Sequence, residues 1–186
     1  MNSSDGHANH GRIELRLRRL DQLFDSYDPA PFHEKDLDPD AEEFIVSWAR
    51  EFGPHTPLRL LLHLPDDQRH LDPERVVREA VANYFAYRVD LARLELRRML
   101  QQGRSSLLVG LTFLTVCMSV RELVGGLGTA EWLRVLQEGL LILGWVAMWR
   151  PIEILLYDWW PIRARRDTYT RLAAMQVEVR YGAPAG

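Results

Sequence analysis

The sequence predicts an α/β protein: a small cytoplasmic module of β-α-β type, with a candidate closing strand at the C-terminus, joined to a two-helix transmembrane hairpin. Three observations predict it. Short runs near both ends alternate polar and apolar residues with period two, as half-buried strands do. Asp38-Pro39 and Asp72-Pro73 each place an N-cap and a first-turn proline ahead of helical periodicity. Between residues 104 and 163, two apolar segments sit between arginine-rich borders.

Residues 1–11 are small and polar and read as a disordered tail. In "RIELRLRRL", Ile13, Leu15 and Leu17 alternate with charged residues, which predicts the first strand. A proline-rich loop follows. Asp38-Pro39 opens a helix whose apolar stripe is Phe44, Ile45, Trp48 and Phe52, and Gly53-Pro54 ends it. "TPLRLLLHLP" is a second strand, more apolar and therefore more central. Asp72-Pro73 opens the next helix, with Leu71 stapling onto Val76 and an apolar side through Val77, Ala80, Tyr84, Leu91 and Leu94 towards Met99. Two strands bury too little to be stable alone. "MQVEVRYG" either supplies a third, through Val177, Val179 and Tyr181, or frays as a tail. If it joins, residues 104–163 are an insertion, and residues 12–103 and 161–186 form one module.

Residues 104–124 contain sixteen consecutive uncharged positions, from Ser105 to Val120. A helix of about 20 residues crosses a hydrocarbon core of about 30 Å. Residues 125–131 form a glycine-rich external turn. A continuous helix over residues 132–160 is about 43 Å long at a rise of 1.5 Å per residue, the depth of a bilayer with its headgroups. Trp132 anchors it at one interface, and Tyr157, Trp159 and Trp160 anchor it at the other, because amphipathic rings concentrate there. Arg93, Arg97, Arg98 and Arg104 precede the hairpin, whereas Arg163, Arg165, Arg166 and Arg171 follow it, and the turn has no basic residue. Positive flanks mark the cytoplasmic side. Both termini are therefore expected in the cytoplasm of a bacterial cell, on a multi-pass inner-membrane protein.

Charges inside the second span need partners. Arg150 and Glu153 are three apart and share a helix face, and Pro151 between them removes a backbone donor and kinks the helix. Arg121, Glu122, Arg134 and Glu138 are expected to gather where the helices approach the turn. These six residues are the candidate partner contacts within the membrane. Arg163, Arg165 and Arg166 are candidate lipid-headgroup contacts. Gly139 and Gly144, with Gly110 opposite, are candidates for close helix packing.

A net charge of −3 offers no basic face for nucleic acid. Cys117 stands alone, so no internal disulfide forms, and its apolar run fits a reducing compartment or a lipid-facing thiol. Asp36, Asp38 and Asp40 resemble the start of a calcium loop, but its glycine is missing and Ser47 occupies its twelfth position. Helix capping explains these acids better. His55, His63 and His70 lack zinc spacing, and "GGLG" at residues 125–128 follows a helix, not a strand, so it is no nucleotide loop. No catalytic, cofactor or metal motif is predicted. The expected partners are membrane lipids and other membrane subunits or further copies of the chain. The expected role is a scaffold, assembly factor or accessory subunit. The alternatives are a homo-oligomeric channel or transporter component using Arg150 and Glu153, and an interfacial lipid enzyme in which His63 or His55 meets Asp66 or Asp67.

Overall fold

A computed structural model describes residues 11–27, 35–67, 73–128 and 130–182. Strand β1 (Gly11–Arg16), helix α1 (Pro39–Glu51), strand β2 (Leu58–Leu64), helix α2 (Pro73–Gly125), helix α3 (Glu131–Glu153), a π-turn (Ile154–Asp158), helix α4 (Trp159–Ala173) and strand β3 (Gln176–Tyr181) follow in order. Contacts divide the chain into two compact units. One comprises the residues up to Leu91 together with those from Ala164 onward, and the other is Ala92–Arg163.

The first unit is built on a three-stranded sheet, order β1-β2-β3, parallel throughout. The C-terminal run therefore joins the sheet, and the more apolar β2 is central. Gly11, expected in the tail, already pairs with Leu58 as the first residue of β1. Residues 1–10, Leu71 and the Asp72 cap lie outside the described residues.

A strand order of 1-2-3 steps one way across the sheet, and right-handed crossovers then put every connecting helix on the same face. Ile13, Leu58, Leu60, Leu62, Leu64 and Val177 point to that face and form one core with α1, α2 and α4. From α2 come Val77, Ala80, Val81, Phe85 and Val89, a stripe at helical spacing. In α1 the core face is Ala41, Ile45, Val46 and Ala49. Phe44 and Trp48 instead lie about 40% exposed beside each other, at 39% and 40%. Small side chains let the helix settle on the sheet, which leaves the large rings at its margin. The loop after β1 also contributes to the core. Leu20, Leu23, Phe24 and Leu37 are buried, and a bridge between Phe24 and Leu37 holds the loop in place.

Asp38 caps α1 as expected, its carboxylate accepting from the Asp40 and Ala41 N–H groups at 2.9 and 3.4 Å. At the other end of α1, Arg171 of α4 donates to the Ala49 carbonyl at 3.4 Å and to the Thr56 carbonyl at 3.1 Å. The three helices are further joined by a half-buried polar cluster. Arg88 of α2 reaches Glu42 of α1 at 2.7 Å and donates to the Tyr169 hydroxyl of α4 at 3.0 Å. Tyr84 donates to the same Glu42 carboxylate at 2.6 Å. Burial, followed by the Glu42 hydrogen bond and charge, pushes the Tyr84 phenol well above its ordinary range. Burial alone would lower Arg88, but its bond to Tyr169 and the Glu42 charge outweigh that and raise it. Both groups therefore keep their protons, and Glu42 is the acceptor that both need. Glu42→Gln is expected to cost about 1–3 kcal/mol, because a partly buried guanidinium loses its counter-ion. A lower thermal midpoint of the module, followed by circular dichroism in detergent, checks it.

The opposite face of the sheet is open among the described residues. Parallel sheets are usually covered on both faces, so the side chains here are unusual for their position. In register across the strands they read Arg12, Arg59, Gln176; then Glu14, Leu61, Glu178; then Arg16, His63, Arg180. Ion pairs stitch the three rows: Arg12 to Glu14 at 2.6 Å, Arg59 to Glu178 at 3.7 Å, and Arg180 to Glu178 at 3.2 Å. Leu61 is only 2% exposed although it lies on this face. The long side chains around it cover it with their stems.

Candidate functional site

The second unit is a helical hairpin of α2 and α3, which end and begin at Gly125 and Glu131. Gly125 and Glu131, expected in the turn, belong to the helices. Helix α2 runs unbroken from Pro73 to Gly125, so no boundary falls near Met99. Gly103 interrupts good helix formers at a cost of only about 1 kcal/mol, too little to end the helix. Both apolar helices are long enough to cross a membrane, and only 17% of the most apolar window of each is buried.

The helices meet along small residues. Gly103, Gly110, Cys117 and Val124 are buried and recur every seven positions, facing Leu133, Gly144, Pro151 and Ile154. A seven-residue repeat is the seam of a left-handed helix pair. A side chain at Gly110 would begin 3.1 Å from the Ala147 carbonyl oxygen and 3.1 Å from the Met148 sulfur. That carbonyl is the one Pro151 cannot satisfy, since proline has no N–H. At Gly144 a Cβ would lie 2.7 Å from a Leu114 methyl and 3.4 Å from the Cys117 Cβ. Gly139 has nothing within 4 Å and takes no part. Cys117 thus faces the partner helix, not lipid.

Arg150 pairs with Glu153 at 2.9 Å, as their spacing predicts, and with Asp158 at 3.5 Å, which was not foreseen. In an unbroken α-helix, eight residues turn about 80° beyond two full circles, at ~100° each. The π-turn at Ile154–Asp158 is wider and returns Asp158 to the Arg150 side. The span expected as one α-helix over residues 132–160 is therefore interrupted at Ile154–Asp158, whereas α3 continues through Pro151. Arg150 and Glu153 lie on the outer surface of the hairpin, their side chains 61% and 43% exposed. A stripe of Ile142, Trp145, Trp149, Ile152 and Leu156 flanks them, all exposed.

At the turn, Arg121 pairs with its neighbour Glu122 at 3.1 Å. Arg134 and Glu138 have no ion pair with them among the described residues, so the expected four-residue cluster does not form. Trp132 is exposed at one end of the hairpin, and Tyr157 and Trp160 are exposed at the other. Trp159 donates to the Leu155 carbonyl at 3.0 Å and carries the Arg163 guanidinium over its ring at 5.7 Å. Arg166 is paired with Asp167 at 2.7 Å, and Arg163 and Arg165 have interactions of their own.

In the sheet unit, His63 and Asp66 line one groove. His55 and Asp67 are not among its lining residues, so of the expected alternatives it is His63 and Asp66 that share a groove. Sequence reasoning missed Asp158, because pairing across eight residues depends on the π-turn. It also missed the Gly103–Gly110–Cys117 seam, although the seven-residue spacing is legible once sought. Comparison with known proteins finds no matching family model, no matching curated protein and no matching solved structure.

Proposed function

We propose that the chain is a bacterial inner-membrane protein in which the α2–α3 hairpin crosses the bilayer, carrying the sheet module on the cytoplasmic side. It acts there as a scaffold, assembly factor or accessory subunit. The observation that carries this reading is the outward apolar surface of the hairpin, with 17% of each apolar window buried. The core helix of a water-soluble protein is mostly covered, and contiguous apolar surface of this extent is rare on soluble proteins. Exposed Trp132 at one end, and Tyr157 and Trp160 at the other, fit the two interfaces. The basic flanks support a topology with both termini on the cytoplasmic side.

The partner contact is assigned to the outer surface of α3. The Arg150–Glu153 pair is exposed beside Trp145 and Trp149, with Arg150 at the rim of a groove shared with Ser105, Val109 and Gly110 of α2, and an exposed ion pair in a membrane span is costly unless something covers it. A neighbouring membrane helix, from another subunit or a second copy, would cover it. A channel built from several hairpins is the second reading, favoured by the same outward-facing charges.

Topology is tested by placing cysteine at Gly126 in a Cys117→Ala background. The turn tolerates it, because a Cβ there meets only the Leu123 carbonyl oxygen, at 3.5 Å. A membrane-impermeant maleimide is expected to label this cysteine on intact cells, and the protein is expected to resist alkaline carbonate extraction. Recovery in the detergent-free supernatant would refute the reading.

A further inference from the structure

At the carboxyl ends of the three parallel strands lies a groove of about 470 Å³, with Arg16, Arg18, His63 and Asp66 on its polar side. We propose that it binds a small organic phosphate, with the phosphoryl group held by Arg16 and Arg18 and an apolar body resting on Leu17, Leu64 and Pro65.

Position is the first support, since the groove lies where the residues leaving the carboxyl ends of β1, β2 and β3 converge. Uncompensated charge is the second. In register, Arg16, His63 and Arg180 stand side by side across the sheet, with strands spaced about 4.8 Å apart. Arg180 is offset by Glu178 at 3.2 Å. The His63 Nε2 is buried without a hydrogen bond, with the Glu14 carboxylate 3.5 Å away. Among the described residues, the Arg16 and Arg18 side chains have neither an ion pair nor a hydrogen bond. Two free guanidiniums present planar, paired donors that match phosphate oxygens. A carboxylate would carry too little charge for both.

The size of the groove sets the rest of the ligand. Small-molecule sites run from about 300 to 1,000 Å³, so this one has room beyond a phosphoryl group. The apolar side chains Leu17, Leu64 and Pro65 line that remaining space. The nearby acids, Glu14 and Asp66, disfavour a second anionic end. Such a phosphoryl group comes either from a soluble ester or from a lipid headgroup. This site is independent of the membrane reading, since every residue in it belongs to the sheet unit.

The test uses the full chain in phosphatidylcholine nanodiscs, titrated with phenyl phosphate by calorimetry at fixed ionic strength. Phenyl phosphate is expected to bind about tenfold or more tighter than benzyl alcohol, and Arg16→Gln/Arg18→Gln to weaken it about tenfold or more. Arg12→Gln, on the same face but outside the groove, is expected to leave affinity unchanged. Circular dichroism confirms that each variant is folded. A second arm adds phosphatidic acid to the nanodiscs. Loss of phenyl phosphate binding there identifies a lipid headgroup as the source, and unchanged binding identifies a soluble ester. Absence of phenyl phosphate binding to wild-type protein in phosphatidylcholine overturns the proposal. So does equal weakening by Arg12→Gln, which would mean that general charge, not this groove, attracts the anion.

Discussion

Gly110→Leu is expected to pull the hairpin apart, whereas Gly139→Leu leaves it intact. A side chain at position 110 starts 3.1 Å from a backbone carbonyl oxygen, that of Ala147. Backbone cannot swing aside as a side chain can, so the helices must separate. Overpacking costs about 1–3 kcal/mol, and separation also forfeits the contacts of Gly103 and Gly144. Gly139 has open space around it and serves as the control for added bulk in the same helix pair. The native Cys117 supplies a reporter. A Cβ at position 144 would lie 3.4 Å from the Cys117 Cβ, near the separation of about 3.5–4.5 Å that disulfides adopt. The 2.7 Å approach to Leu114 involves only its terminal methyl, which can rotate away. Gly144→Cys is therefore expected to cross-link to Cys117 readily under mild oxidation. Adding Gly110→Leu should slow that cross-link severalfold, and adding Gly139→Leu should not. Equal rates in the two would show that the seam does not depend on Gly110.

What the sequence made legible followed from local rules. Alternation in "RIELRLRRL" and "MQVEVRYG" marked strands because one sheet face is packed and the other is charged. Asp38-Pro39 marked a helix start because capping is a matter of adjacent residues. Arg150 and Glu153 paired because an α-helix sets neighbours three apart. The failures share a different cause. Glu42, Tyr84, Arg88 and Tyr169 are scattered over more than a hundred positions and meet only when α1, α2 and α4 lie on one sheet. Leu20, Leu23, Phe24 and Leu37 sit among aspartates and prolines that read as loop, and their burial follows from tertiary packing. Asp158 reaches Arg150 only through a π-turn, which no periodicity announces. Arg134 and Glu138 were assigned to a cluster by nearness to the turn, although facing direction decides contact. The groove beyond β1 and β2 was visible only as isolated residues, because register alone aligns Arg16 with His63.

Glu153→Leu alone is expected to impair membrane insertion more than Arg150→Leu and Glu153→Leu together. The single change leaves Arg150 facing outward with Asp158, at 3.5 Å, as its remaining carboxylate. An arginine at the centre of a span costs about 2.5–3.5 kcal/mol, and less towards the interface. Arg150 stands about 6 Å from the middle of residues 132–160 at 1.5 Å per residue, so part of that cost applies once Glu153 is gone and most of it once Asp158 is neutralised as well. The carbonate-resistant fraction should therefore fall severalfold for Glu153→Leu, fall further with Asp158→Asn added, and recover in the double leucine variant. Recovery isolates the unpaired charge as the defect, since the double variant is the more apolar of the two. The same variant then separates insertion from recognition. If it inserts but migrates as a smaller species in a native gel, the ion pair chooses the partner helix. If it inserts and stays assembled, the exposed Trp145 and Trp149 stripe holds the partner, and the ion pair serves only to let Arg150 enter the bilayer. A channel gives a third signature, in which the assembly keeps its size and loses its conductance.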